Sequence, residues 1–249
     1  MIRKVAPGYN DKQNWGDLPR LSFPPLLQNP PRASINETVP TTQLVIACVC
    51  VGDKYPAHYV TRIKSMAQRN TTYDTRFICI TDRHDLNLAP AETIRPRRDL
   101  PGWYSKINLF DPHNFPAGAR VLYFDLDVVI TGDLDPMWRA ADPFVMIREF
   151  HPRPEGAHNS SVMSWTAGNY TREIFERFED DCTRRSWGDQ ECIWKIMGNE
   201  RIVNWPDPWV RSFKYHGRGG VPQDCRVMVF HGDPKPDAIA APWISELWR

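Results

Sequence analysis

The 249-residue sequence has no hydrophobic run long enough to cross a membrane: its longest unbroken apolar stretch, Leu44 to Val51, falls far short of the roughly 20 residues that a spanning helix needs. It has almost no net charge either. With 31 basic against 30 acidic side chains there is no long-range field to gather phosphate backbones, so the composition argues against a general nucleic-acid binder, and any phosphate chemistry must be local. The first residues, MIRKVAPGYNDKQ, carry charges without an apolar run behind them. Neither a secretory signal nor a signal anchor is read there, and a cytoplasmic protein is expected. CxxC pairs are missing. The six cysteines (Cys48, Cys50, Cys79, Cys182, Cys192, Cys225) are scattered, and the first three fall inside apolar strand-like runs. They are expected to be small, buried, reduced thiols rather than zinc ligands or a disulfide framework. The Asn-x-Ser/Thr sites at Asn36, Asn70, Asn159 and Asn169 carry no weight on that expectation. No internal repeat is found.

What is present is a globular composition. At 41% hydrophobic residues the chain can bury a sizeable core, which excludes disorder throughout, and the length suits one α/β domain. Seven of the 23 prolines lie in the first 40 residues, where LSFPPLLQNPP shows neither helical nor alternating periodicity. Residues 1–40 therefore read as a Pro-rich extension, and 41–249 as the domain. Leu21, Phe23, Leu26 and Leu27 favour an extended strap laid on the domain surface over a docking peptide for a partner.

From Gln43 the pattern alternates strands and helices. QLVIACVCV is a continuous run suited to a strand covered on both faces, which implies a parallel sheet. Pro56 opens a helix whose Tyr59, Val60, Ile63, Met66 and Ala67 recur at three- and four-residue intervals before Arg69 and Asn70 close it. TRFICIT is the next strand, so the unit is strand, helix, strand, an open α/β half-domain. A short helical stretch YSKINLF precedes a third strong strand, ARVLYFDLDVVI. Later elements are strands at FVMIREF and NSSVMSW, helices from about Tyr170 to Asp181 and at QECIWKIM, and a terminal strand RVMVFH.

The chemistry concentrates where VLYFDLDVV runs from an apolar strand into Asp125 and Asp127. In a strand, side chains at i and i+2 project from one face, so both carboxylates are expected together at the carboxyl end, where open α/β sheets bind ligands. Like charges held that close are relieved by a proton or a divalent cation. The second element is FHGDPKP, which puts His231, Gly232 and Lys235 in one turn. An imidazole can complete a site begun by carboxylates, and mixed nitrogen and oxygen ligation favours manganese over magnesium. Gly232 lets a ligand approach the backbone, and Lys235 offers a point charge to phosphate.

With these motifs in this order, residues 43 to 249 resemble glycosyltransferase family 8 and related bacterial nucleotide-sugar transferases. The resemblance implies a GT-A type, Rossmann-like mixed sheet, mostly parallel and flanked by helices. It implies a retaining transfer of a sugar from a nucleotide-sugar donor, with uridine diphosphate favoured, to an unknown glycan, lipid or protein acceptor. Asp125, Asp127 and His231 are then the ligands of Mn2+ or Mg2+, and Lys106 and Lys235 neutralise the diphosphate. Asn159 and Ser160 of Asn-Ser-Ser-Val-Met would lie beside the donor sugar, and Asp189 and Gln190 of WGDQ are the candidates to stabilise the cationic sugar face. Asp53 and Tyr55, just past the first strand, would meet base or ribose. The family often has Gly where Ser161 stands, Trp where Asp237 stands and Asp where Glu191 stands, which bears on sugar selectivity. Two alternatives stand beside this reading. FDLDVVIT also resembles the first motif of haloacid-dehalogenase-type phosphatases, although there the motif opens the domain and FHGDPKP has no role. A non-catalytic carbohydrate-binding module is the other.

Overall fold

In the computed structural model, the residues described are 43–249 apart from 87, 89–91, 141–143, 151–156, 179–181, 183–185 and 187. All of the described residues belong to one compact unit of the chain. The Pro-rich extension expected over residues 1–40 lies outside the described residues, as does the expected end of the Tyr170–Asp181 helix.

Strand β1 (Leu44–Cys50) runs parallel to both β2 (Arg76–Thr81) and β4 (Arg120–Phe124), and β2 pairs with the short β3 (Glu92–Ile94). On the far side of β4 lie β7 (His158–Thr166), antiparallel to it, then β6 (Phe144–Arg148) and β8 (Ile202–Asn204), giving the order β3-β2-β1-β4-β7-β6-β8. The sheet is mixed and mostly parallel, as expected. Its two faces are read directly from the strand period: Leu44, Ile46, Cys48 and Cys50 pack toward helix α1 (Ala57–Arg69), while Val45 and Ala47 pack toward the 3-10 turn Gly102–Phe110. The residues of α1 picked out by periodicity, Tyr59, Val60, Ile63, Met66 and Ala67, are its buried ones. Helices α2 (Asp135–Arg139), α3 (Asn169–Arg177), α4 (Asp189–Met197) and α5 (Pro242–Leu247) follow in chain order.

Two expectations are corrected. The run ARVLYFDLDVVI is not one strand. It breaks at Asp125–Asp127 into β4 and β5 (Val128–Ile130), and β5 belongs to a second sheet of order β5-β10-β9, with β9 at Val210–Ser212 and β10 at Val227–Val229. The apolar residues on either side, Val121–Phe124 and Val128–Ile130, are buried in different sheets, and the chain turns between them at Asp125–Asp127. The cysteines are not all reduced: Cys182 and Cys192 form a disulfide that ties the segment before α4 to the helix itself, whereas Cys48, Cys50, Cys79 and Cys225 are buried thiols. The scattered spacing gave no sign of that pair. Among the described residues no helix is long and apolar enough to cross a membrane.

One core group makes stability depend on pH. His158 in β7 is 5% exposed and lies 2.9 Å from the Asn204 amide through Nδ1. Burial, helped by the nearby Arg148 charge, pulls its pKa down to about 4 from 6.5. The unfolded chain takes up the proton first as pH falls, so stability is lost between about pH 6.5 and 4, by about 3 kcal/mol at the acid limit. Urea unfolding of His158→Gln across that range should show a flatter profile than the parent protein; parallel profiles would remove His158 as the cause.

Candidate active site

The site gathers where β1 and β4 end at their carboxyl termini, with the antiparallel β7 entering from the same edge. The loop after β1 carries Tyr55, and the turn after β4 carries Asp125 and Asp127. The Asp125 amide donates to the Ser161 carbonyl at 2.8 Å, which sets Asn159 and Ser160 of β7 beside that turn. The 3-10 turn contributes Lys106, and the first residues of α4 contribute Asp189 and Gln190.

Lys106 is the hub of one half. Its ammonium is 3.0 Å from Asp125 Oδ1, 3.0 Å from Asp189 Oδ2 and donates to Ser160 Oγ at 2.9 Å, while the Ser160 hydroxyl donates to Asp189 at 2.6 Å. Tyr123 donates its hydroxyl to Asp125. Burial works against charge in both partners. It pushes the Lys106 pKa down, but Asp125 and Asp189 overcome it and hold the ammonium well above its ordinary value. It pushes the Asp125 carboxyl up, but Lys106 and the Tyr123 hydroxyl overcome it and hold that carboxyl below the usual range. The side chains therefore stay ionised together. The Lys106 ammonium, expected on the donor's diphosphate, faces the two acids and Ser160.

Asp127 is the hub of the other half. It accepts from the Tyr55 hydroxyl at 2.9 Å and pairs with the Lys235 ammonium, which also donates to the Phe230 carbonyl at 3.2 Å. Burial raises the Tyr55 phenol far above its usual pKa, and the neighbouring Asp127 and Asp125 charges raise it further, so it stays a donor. Asp53, two residues before Tyr55, is exposed on the same loop.

The late motif reaches this turn through β10. β10 is antiparallel to β5 with Val229 opposite Val128, and the Phe230 amide donates to the Asp127 carbonyl at 2.9 Å. His231 is thus the next residue along from the rung at Asp127. Its Nε2 is 2.7 Å from the Ser212 hydroxyl and its ring stacks on Phe150, with centroids 5.6 Å apart and planes at 13°. Gly232 follows with φ +65°, a conformation that favours glycine. The Asn159 side chain accepts from the Ser161 amide at 2.9 Å, and Gln190 donates to Glu149 at the end of β6 at 2.9 Å.

Backbone register, not strand alternation, joins the aspartates to the histidine. Two carboxylates and an imidazole form a mixed oxygen and nitrogen set, which divalent manganese or magnesium accepts, and an ammonium already stands on Asp127 where a cation would be held. The chemistry of the set fits such an ion. In the state described the acids face lysines, and among the described residues no group of three His, Cys, Asp or Glu side chains is drawn together as a metal cage. Sequence reasoning missed Tyr123, Glu149 and Ser212. Tyr123 had a signal, since it stands two residues before Asp125 on the same strand; Glu149 and Ser212 had none, because they meet the site only through the sheets.

No protein-family model matches the chain, and no curated protein matches it in sequence. Solved structures do match its fold. The galactosyltransferase LgtC, in complex with donor and acceptor sugar analogs, is 16% identical with a TM-score of 0.61 over 81% of this chain and 94% of that one. The glycosyltransferase GlyE of Streptococcus pneumoniae TIGR4 is 13% identical with a TM-score of 0.57 over 78% of this chain and 56% of that one. The bifunctional glycosyltransferase WbbM is 12% identical with a TM-score of 0.54 over 85% of this chain and 52% of that one. The chain thus has the GT-A fold that these glycosyltransferases share.

Proposed function

We propose that the chain is a retaining glycosyltransferase that moves a sugar from a nucleotide-sugar donor, with uridine diphosphate as the nucleotide, to a glycan, lipid or protein acceptor. The observation that carries this reading is the pairing of β10 on β5, which sets His231 and Lys235 against the Asp125–Asp127 turn at the strand ends where α/β sheets take their ligands. The fold shared with LgtC, GlyE and WbbM supports it.

During transfer the bond from the sugar's anomeric carbon to the phosphate oxygen breaks. Negative charge grows on the diphosphate and positive charge on the sugar ring. Asp125, Asp127 and His231 would hold a divalent cation, manganese or magnesium, which would supply Lewis-acid stabilisation to the departing diphosphate. Lys235 leaves Asp127 for the diphosphate, and Lys106 keeps Asp125 and Asp189 fixed beside the donor with Asn159 and Ser160. Tyr55 holds Asp127 and offers its ring to the base, with Asp53 on the same loop. Asp189 and Gln190 face the sugar. The acceptor would enter by the cavity of about 180 Å³ lined by Glu149, Phe150, Trp205 and Arg211, whose Glu149 accepts from Gln190 and whose Phe150 stacks on His231.

Thermal unfolding with nucleoside diphosphates and nucleotide sugars, with and without manganese, tests the reading. A ligand at a hundred times its Kd adds about 2.7 kcal/mol to the native state, and the midpoint should rise by roughly 5–10 °C. Asp127→Ala should abolish the manganese-dependent part of that rise. If no nucleotide shifts the midpoint, the transferase reading fails.

A further inference from the structure

The five residues Phe213–Gly217 form a π-helical turn directly after β9, an irregular element of the kind that often marks functional sites. Three successive side chains of this turn reach toward the His231–Lys235 motif. The Tyr215 ring, 48% exposed, lies 5.8 Å from the His231 ring. His216 accepts from the Ser212 amide at 3.3 Å, next to the hydroxyl that meets His231, and its ring is 6.5 Å from Phe150. Lys214 lies over the same turn: a methyl group on Gly232 would stand 2.7 Å from its Nζ, and the φ of +65° at that position favours glycine.

Lys214 also differs from the other two lysines of the site in its electrostatics. Lys106 is paired with Asp125 and Asp189, and Lys235 with Asp127. Lys214 is half-buried, and among the described residues no carboxylate lies within ion-pair distance of it. A partly desolvated cation without an anion is a poor end state for a fold, and it improves when a ligand supplies the anion. The ammonium stands over Gly232, three residues before Lys235 in the same turn.

We infer that Lys214 is a further phosphate-binding residue of this site, its ammonium taking the diphosphate of the nucleotide over Gly232. This rests on the transferase reading above. A charge-assisted contact to phosphate contributes about 1.5–3 kcal/mol, which corresponds to roughly a ten- to hundredfold change in affinity.

The test is titration calorimetry of the full chain with uridine diphosphate in the presence of manganese, with uridine, which has no phosphate, measured by displacement as the reference. Lys214→Met should weaken uridine diphosphate about ten- to hundredfold and leave uridine unchanged, and Lys214→Arg should keep most of the diphosphate affinity. Equal uridine diphosphate affinity in Lys214→Met and the parent protein overturns the inference while the transferase reading stands. Parallel loss of uridine and uridine diphosphate also overturns it, since that is the signature of a structural lysine. A parent protein that binds no uridine diphosphate overturns both.

Discussion

Replacing Lys106 by methionine is expected to lower the stability of the folded chain by about 3–5 kcal/mol, the range seen when one partner of a buried ion pair is removed. Lys106 is 6% exposed, and its ammonium is the common partner of Asp125, Asp189 and Ser160. Methionine keeps the volume and removes the charge, which leaves two carboxylates that shared one cation facing each other across its place. The pH dependence separates this cause from lost packing. In the parent protein the Asp125 carboxyl is held below its ordinary range, so its contribution is present above the unfolded pKa and is lost as pH falls through the folded one. In Lys106→Met the Asp125 carboxyl loses the cation that held its pKa down and relieves its burial by taking up a proton, so the deficit should be largest at neutral pH and shrink as pH falls into the carboxylate range. Urea unfolding at a series of pH values checks both parts. A deficit independent of pH would mean that the aliphatic stem of Lys106, rather than its charge, holds the site.

How far the sequence reaches into this site can be followed residue by residue. The helix α1 was legible in full, because one stripe of apolar residues against one sheet face leaves a three- and four-residue period. The β1 run was legible as a strand covered on both faces because its apolar residues are unbroken. The two motifs that meet at the site were legible as chemistry but not as geometry. Asp125 and Asp127 were placed together by strand alternation, and they stand together because the strand ends between them in a turn. The short strands β3, β8 and β9, each three residues long, left no periodic signal, since pairing with a neighbour decides them and not their own pattern. The second sheet, which carries His231 to Asp127, was hidden with them. Glu149 and Ser212 belong to the same class of omission: an ordinary polar residue meets the site only through the register of distant strands.

Replacing Gln190 by alanine is expected to lower the transfer rate about a hundredfold while changing stability by less than about 1.5 kcal/mol. Gln190 sits at the opening of α4, half-buried, and its amide nitrogen donates to Glu149 Oε2 at 2.9 Å. That bond leaves the amide oxygen of the side chain directed away from Glu149, available to the electropositive face of a sugar as its bond to phosphate lengthens. Because the interaction strengthens as charge develops, the loss should fall on kcat and leave KM for the donor nearly unchanged. Glu149→Gln distinguishes a catalytic Gln190 from one that only braces the turn. It removes the charge that orients Gln190 but not Gln190 itself, so it should lower kcat by less than Gln190→Ala does, and adding it to Gln190→Ala should cost little more, since the two act as a unit. Full turnover in Gln190→Ala would exclude the glutamine from the reaction and leave Asp189 as the acid facing the sugar.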